Sequence, residues 1–200
     1  YKGGYVCRTS TYHRMFSITD TTIYFNPAYL DYHYYKYSVE KKAFLPLYKL
    51  DVDGKEASAQ QLEKLYGKAV SNPSNGNVES LNIMEQKEDY LVSSDYLMPM
   101  IRLINDKYVY AFLQSRMTPS FMIFNRLTKE NFYISQNAAL NMFPCFALCD
   151  NVLIGILYPD KMDKYVDERA QVYMSAGTRE KLRAIKEEDN PIIIKYYLKQ

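Results

Sequence analysis

Between Tyr29 and Tyr37 the chain gathers an aspartate, a histidine and five tyrosines in the run Tyr29-Leu30-Asp31-Tyr32-His33-Tyr34-Tyr35-Lys36-Tyr37. On an extended strand the side chains alternate, so Asp31, His33, Tyr35 and Tyr37 share one face while Tyr32, Tyr34 and Lys36 share the other. Aromatic rings beside an imidazole and a carboxylate could stack on a sugar or peptide group and hydrogen-bond its edge. Tyr32, His33, Tyr35 and Tyr37 are therefore the candidate ligand-binding residues. The competing reading is packing, with rings inside and hydroxyls at the rim. The absence of tryptophan weighs against a sugar platform. Asp31 and His33 could also ligate a metal from one strand face. His13 is the other histidine of the chain, and no third ligand can be named. No metal site is assigned.

Other chemistry finds little support. Asp51-Val52-Asp53-Gly54 has its glycine too early for a calcium loop and reads as a turn. There is no Gly-x-Ser-x-Gly elbow and no glycine-rich phosphate loop. Glu79, Glu85, Glu88 and Asp89 could supply paired carboxylates for glycoside hydrolysis, but acidic residues in such a stretch are ordinarily solvated. Cys145 and Cys149 lie four apart in a strand-like segment, about 13 Å from each other if extended, too far to bridge. Free, buried thiols are the expectation. No catalytic residue and no cofactor is assigned, and the balance favours a non-enzyme.

The composition suits a folded domain: 48% hydrophobic and 24% charged, with 21 tyrosines. Tyrosine fits a half-buried pleated surface, which points to β-structure. The net charge is +2 and the charges are interspersed, unlike the basic stripe of a nucleic-acid binder. No apolar run approaches the roughly 20 residues of a membrane-spanning helix. The chain opens Tyr1-Lys2-Gly3-Gly4, as a processed or cut chain does.

The elements that must position these residues are short strands in hairpins. Extended segments are expected at Tyr5–Ser10, Arg14–Ile18, Thr21–Phe25, Tyr32–Val39 and Phe44–Leu50. Later ones fall at Met100–Ile104, Tyr108–Leu113, Phe121–Asn125, Phe132–Ile134, Phe143–Cys149 and Val152–Leu157, with polar turns between. Helices are expected from about Ala59 to Val70, capped by Ser58, from Pro159 to about Met174, and from a Thr178 cap through Glu187. Asn190-Pro191 then stops the last helix, and Ile192-Ile193-Ile194 begins a terminal strand. About a dozen strands in hairpins suggest a sandwich, a barrel or a propeller. At about 40–45 residues per four-stranded blade, this length makes three or four blades, too few to close a ring comfortably.

The ending Leu182-Arg183-Ala184-Ile185-Lys186-Glu187-Glu188-Asp189-Asn190-Pro191-Ile192-Ile193-Ile194-Lys195 resembles the close of the six-bladed β-propeller proteins of Bacteroides-type bacteria. Phe124-Asn125-Arg126-Leu127-Thr128-Lys129 and Phe44-Leu45-Pro46-Leu47-Tyr48-Lys49-Leu50-Asp51 are similar to recurrent hairpins of that family. The resemblance implies a mainly β fold: a β-propeller, seen as a partial set of blades with peripheral helices. Residues 1–200 would form one β-propeller-like domain, the C-terminal part of a longer propeller. It also implies an extracytoplasmic setting, in the periplasm or at the outer membrane, often as an envelope lipoprotein. The expected function is a non-catalytic module of the cell envelope that binds a glycan, a peptide or an envelope protein. The alternatives are a propeller-based carbohydrate-active hydrolase or lyase, and a purely structural scaffold.

Overall fold

Strand-forming runs separated by Asn- and Asp-rich turns pair with their neighbours in sequence. The computed structural model describes residues 15–27, 31–57, 95–115, 119–135, 144–161, 171 and 174–199. The described chain is mainly β, arranged as three antiparallel sheets. The first sheet holds β1 (Phe16–Ile18), β2 (Ile23–Phe25), β3 (His33–Ser38) and β4 (Ala43–Lys49), side by side in chain order. The second holds β5 (Met98–Ile104), β6 (Tyr108–Gln114), β7 (Pro119–Asn125) and β8 (Asn131–Ser135), again in order. The third holds β9 (Cys145–Cys149), β10 (Val152–Leu157) and β11 (Ile192–Tyr197), three strands against four in the others.

The turns explain the registers. Asn105 Oδ1 accepts the backbone N–H groups of Lys107 at 2.9 Å and Tyr108 at 2.8 Å, closing the β5–β6 hairpin. Asn125 Oδ1 does the same for Leu127 and Thr128 between β7 and β8. Lys42 in the β3–β4 turn, Lys129 in the β7–β8 turn and Asp150 in the β9–β10 turn take positive φ. The Asp51–Gly54 segment is a turn, with Asp53 and Gly54 at positive φ and the Asp53 N–H bonded to Asp51 Oδ1.

The sheets pack face to face around two cores. Tyr24, Tyr34, Leu50 and Val52 from the first sheet and its flank meet Val109, Ala111, Leu113 and Met122 from the second. Ile101, Leu103, Tyr110 and Phe121 meet Cys145 and Leu153 of the third. The middle sheet is thus covered on both faces, which is why Tyr108-Val109-Tyr110-Ala111-Phe112-Leu113 is apolar throughout and not alternating. The leading strands β5 and β9 lie next to each other. Tyrosines stitch the stack: the Tyr34 hydroxyl donates to the Tyr110 carbonyl at 2.8 Å, and the Tyr110 hydroxyl accepts the Cys145 N–H at 2.9 Å.

In an up-and-down sheet, alternate connections emerge at opposite ends. Tight turns join β1–β2, β3–β4, β5–β6, β7–β8 and β9–β10, while the alternate connections are the short β6–β7 and the longer β2–β3, β4–β5, β8–β9 and β10–β11. The long ones therefore share one end of their sheets. Lys107 and Asp150, whose side chains meet at 2.6 Å, tie the tight-turn ends of the second and third sheets together.

Several expectations are refined. The expected strand at Tyr5–Ser10 and the helix at Ala59–Val70 lie outside the described residues. Pro159–Lys161 forms a single 3-10 turn, and residues 162–170 are again outside. The helix α1 (Ala176–Arg183) is capped by Ser175, whose side chain accepts the Thr178 N–H, so Thr178 is not the cap. It ends at Arg183, short of Glu187, because Lys186 N–H turns to the Asp189 carboxylate. Leu182 of α1 packs on Leu157, Ile192 and Ile194. Neither Cys145 nor Cys149 forms a disulfide, and only Cys145 is buried; Cys149 ends its strand beside a turn and is exposed. Burial pushes the Cys145 thiol up to about 12, leaving it protonated.

Candidate functional site

β3 has two unlike faces. Tyr34 is fully buried, and Tyr32, just before the strand, is 3% exposed. The Tyr32 hydroxyl accepts the Ala57 N–H at 3.0 Å. Burial raises the hydroxyl pKa values of both residues. Tyr32 therefore belongs to the core between the first two sheets and stands apart from the other candidates, because alternation turns it away from them. His33, Tyr35 and Tyr37 point to the opposite, partly open face.

Asp31 is the hub of that open face. Its Oδ1 accepts the His33 N–H and contacts His33 Nδ1, each at 2.9 Å, and its Oδ2 accepts the Tyr35 hydroxyl at 2.7 Å. Burial pushes the Asp31 carboxyl up, but the His33 N–H, the Tyr35 hydroxyl and the His33 ring outweigh it and hold it below the usual value. A charged carboxylate only accepts, so His33 Nδ1 must carry a proton. Whenever the ring is neutral, Nε2 is its remaining acceptor, on a side chain 39% exposed. This is the carboxylate-oriented imidazole that binding and general-base sites both use.

A buried charge fixes the hub. Arg102, in the middle of β5, is completely buried and packs over the Tyr34 ring at 5.8 Å. Its guanidinium donates to the Asp31 carbonyl and, at 3.3 Å, to the His33 carbonyl. The second sheet thus clamps the end of the β2–β3 connection of the first, at the end where the long connections emerge. The signal for this residue was an arginine inside the apolar run Met98-Pro99-Met100-Ile101-Arg102-Leu103-Ile104, which demands a polar partner.

Next to the hub the open face is aromatic. Phe25 lies 5.2 Å from Phe16, 5.3 Å from Phe44 and 6.0 Å from Tyr35, and Tyr37 lies 5.2 Å from Phe44. Sequence reading did not single out these phenylalanines, one on each of β1, β2 and β4; only the sheet registers bring them together. Among the described residues no group of three or more His, Cys, Asp or Glu side chains is arranged to hold a metal. Glu79, Glu85, Glu88 and Asp89 lie outside the described residues. Among the described residues no helix is long and apolar enough to cross a membrane.

No family model matches the chain, and comparison with curated proteins finds no match. A crystal structure of a candidate exported protein from Bacteroides fragilis is similar in fold, with a TM-score of 0.63 at 16% identity. The likeness covers 93% of this chain and 49% of that one. At such identity the fold is what is shared, and the chain spans about half the length of the protein it matches.

Proposed function

We propose that the chain is the C-terminal half of a six-bladed β-propeller of the Bacteroides type and serves as a non-catalytic binding module outside the cytoplasm. Each of the three sheets is then a blade. Three consecutive meanders stacked face to face, with long connections at a common end, support the propeller. A neighbour of twice the length whose matched half has this fold supports the half-ring. Its origin as a candidate exported protein supports the envelope setting.

The observation that carries the binding role is the Asp31–His33–Tyr35 hub. It sets an oriented imidazole acceptor at the long-connection end, where loops carry recognition on a rigid scaffold. An acceptor of this kind suits hydroxyl or amide N–H groups, which makes a glycan or a peptide the ligand class. Thermal-shift titration against panels of neutral oligosaccharides and short peptides tests the reading. At about 100 times its Kd a true ligand adds about 2.7 kcal/mol, and His33→Ala must abolish that shift. A wild-type chain that no panel member stabilises counts against the binding module.

The same dyad favours one second reading, a carbohydrate-active hydrolase or lyase with His33 as general base. Tyr35, the hydroxyl nearest the hub, is already committed as a donor to Asp31, which is why binding is preferred. Turnover of any oligosaccharide that the chain binds, lost in His33→Ala, would reverse that preference.

A further inference from the structure

We infer that Lys49 and Glu56 are the second half of the His33 site and make it selective for neutral glycans over acidic ones. This rests on the reading of His33 as a binding residue and deepens it by naming what the site takes and what it turns away.

Register brings the two halves together. His33 opens β3, Lys49 closes β4, and they are direct cross-strand partners at the long-connection end. Such partners project from the same face, about 4.5–5.5 Å apart. The ladder contains a bulge: Tyr34 faces Tyr48 and Tyr35 faces Pro46, which leaves Leu47 as the extra residue. Strict alternation would put Phe44 and Lys49 on opposite faces; Leu47 brings both to the open one.

Glu56 meets Lys49 there, its Oε1 2.7 Å from Nζ, with the two side chains 34% and 51% exposed. The backbone around Glu56 is pinned on both sides. The Ala57 N–H donates to the buried Tyr32 hydroxyl at 3.0 Å, and the Lys55 carbonyl accepts the Leu97 N–H at 2.9 Å. An exposed ion pair ordinarily costs entropy to hold two long side chains in one geometry. Here the fold has already placed the segment that carries the carboxylate.

Hydrogen-bonding capacity names the ligand. An ammonium has three N–H donors and a carboxylate has several lone pairs, so the two can meet each other and a ligand at once. While the His33 ring is neutral, the corner offers an acceptor, a donor and a second acceptor. That set suits hydroxyl groups, each of which both gives and takes a hydrogen bond. An extended peptide would instead seek an open strand edge, and β4, the outer strand of this sheet, is interrupted by Pro46, which has no N–H to give.

Charge sets the exclusion. Two carboxylates, Asp31 and Glu56, stand here against the single ammonium of Lys49. The buried Arg102 lies on the core side, over the Tyr34 ring. An acidic ligand would need Lys49 as its counter-charge, and Glu56 already neutralises it.

Thermal-shift titration tests this, setting maltohexaose, cellohexaose and mannohexaose against hexagalacturonate in the parent, Lys49→Met and Glu56→Gln. Glu56→Gln keeps the shape and releases Lys49. It should weaken neutral binding about tenfold and strengthen uronate binding at least about tenfold, a gain that about 0.5 M salt removes. Lys49→Met should weaken neutral binding about tenfold with no gain for the uronate. Unchanged urea midpoints in both variants show that the fold is intact. A His33-dependent neutral ligand that both variants bind as the parent does would overturn the inference and leave the His33 reading standing. So would a parent that prefers the uronate, or one that binds peptides and no saccharide. A parent that no saccharide and no peptide stabilises removes the His33 reading, and this inference with it.

Discussion

The Asp31 carboxylate is held by a backbone N–H, an imidazole and a phenol, and its lowered pKa is a statement about stability. A group whose folded pKa lies below its unfolded value stabilises the fold fully above the unfolded value, here that of an ordinary aspartate. The contribution fades as pH falls from there through the lowered folded pKa. Asp31→Asn should therefore cost about 1 kcal/mol at pH 7, a modest figure because the carboxylate is partly open to solvent. Urea unfolding of both proteins should show that difference shrinking below about pH 4; a difference that persists unchanged at acid pH would contradict the assignment. Arg102 acts one step back, positioning Asp31 and His33 through their carbonyls. Arg102→Lys keeps the charge but loses the planar fork, and should be destabilising by at least about 2 kcal/mol in the same assay.

β3 shows how far an element can be read from its residues. Tyr34→Ala should cost about 3–5 kcal/mol, because it empties the seam between the first two sheets, whereas Tyr37→Ala on the open face should cost under about 1 kcal/mol in this chain. Equal losses in urea titrations would mean that the two faces are not distinct. The alternation of this strand was legible in Tyr29–Tyr37, and so was the common face of His33, Tyr35 and Tyr37. Which face turned inward was not, because both are aromatic and the period of two carries no polar contrast. That is how Tyr32 came to be grouped with its neighbours. The hairpins were legible for a better reason: Asn105 and Asn125 close their turns with their own side chains. Ser175 and Thr178 are both competent caps three residues apart, and sequence alone does not choose between them. The aromatic patch was illegible because Phe16, Phe25 and Phe44 meet only through cross-strand register.

At the scale of the molecule, stability runs through the faces between sheets. The Tyr34 hydroxyl reaches the second sheet and the Tyr110 hydroxyl reaches the third, so two buried phenols join three sheets. Tyr110→Phe leaves the Cys145 N–H without that acceptor and should cost about 1–3 kcal/mol. A loss well under this range in calorimetry would mean that the link between the second and third sheets is slack. The same logic gives weight to the exposed apolar residues at the two ends of the described stack, Phe16, Ile18 and Phe44 on the first sheet and Ile193 and Tyr197 on the third. The proposal of a six-sheet ring is tested most directly by a crystal structure of the polypeptide extended before Tyr1. It predicts six sheets around one axis, with Phe16, Phe25 and Phe44 covered by the sheet that precedes them and Ile193 and Tyr197 covered across the closing seam. A different number of sheets, or a complete molecule in which those rings still face water, would contradict it.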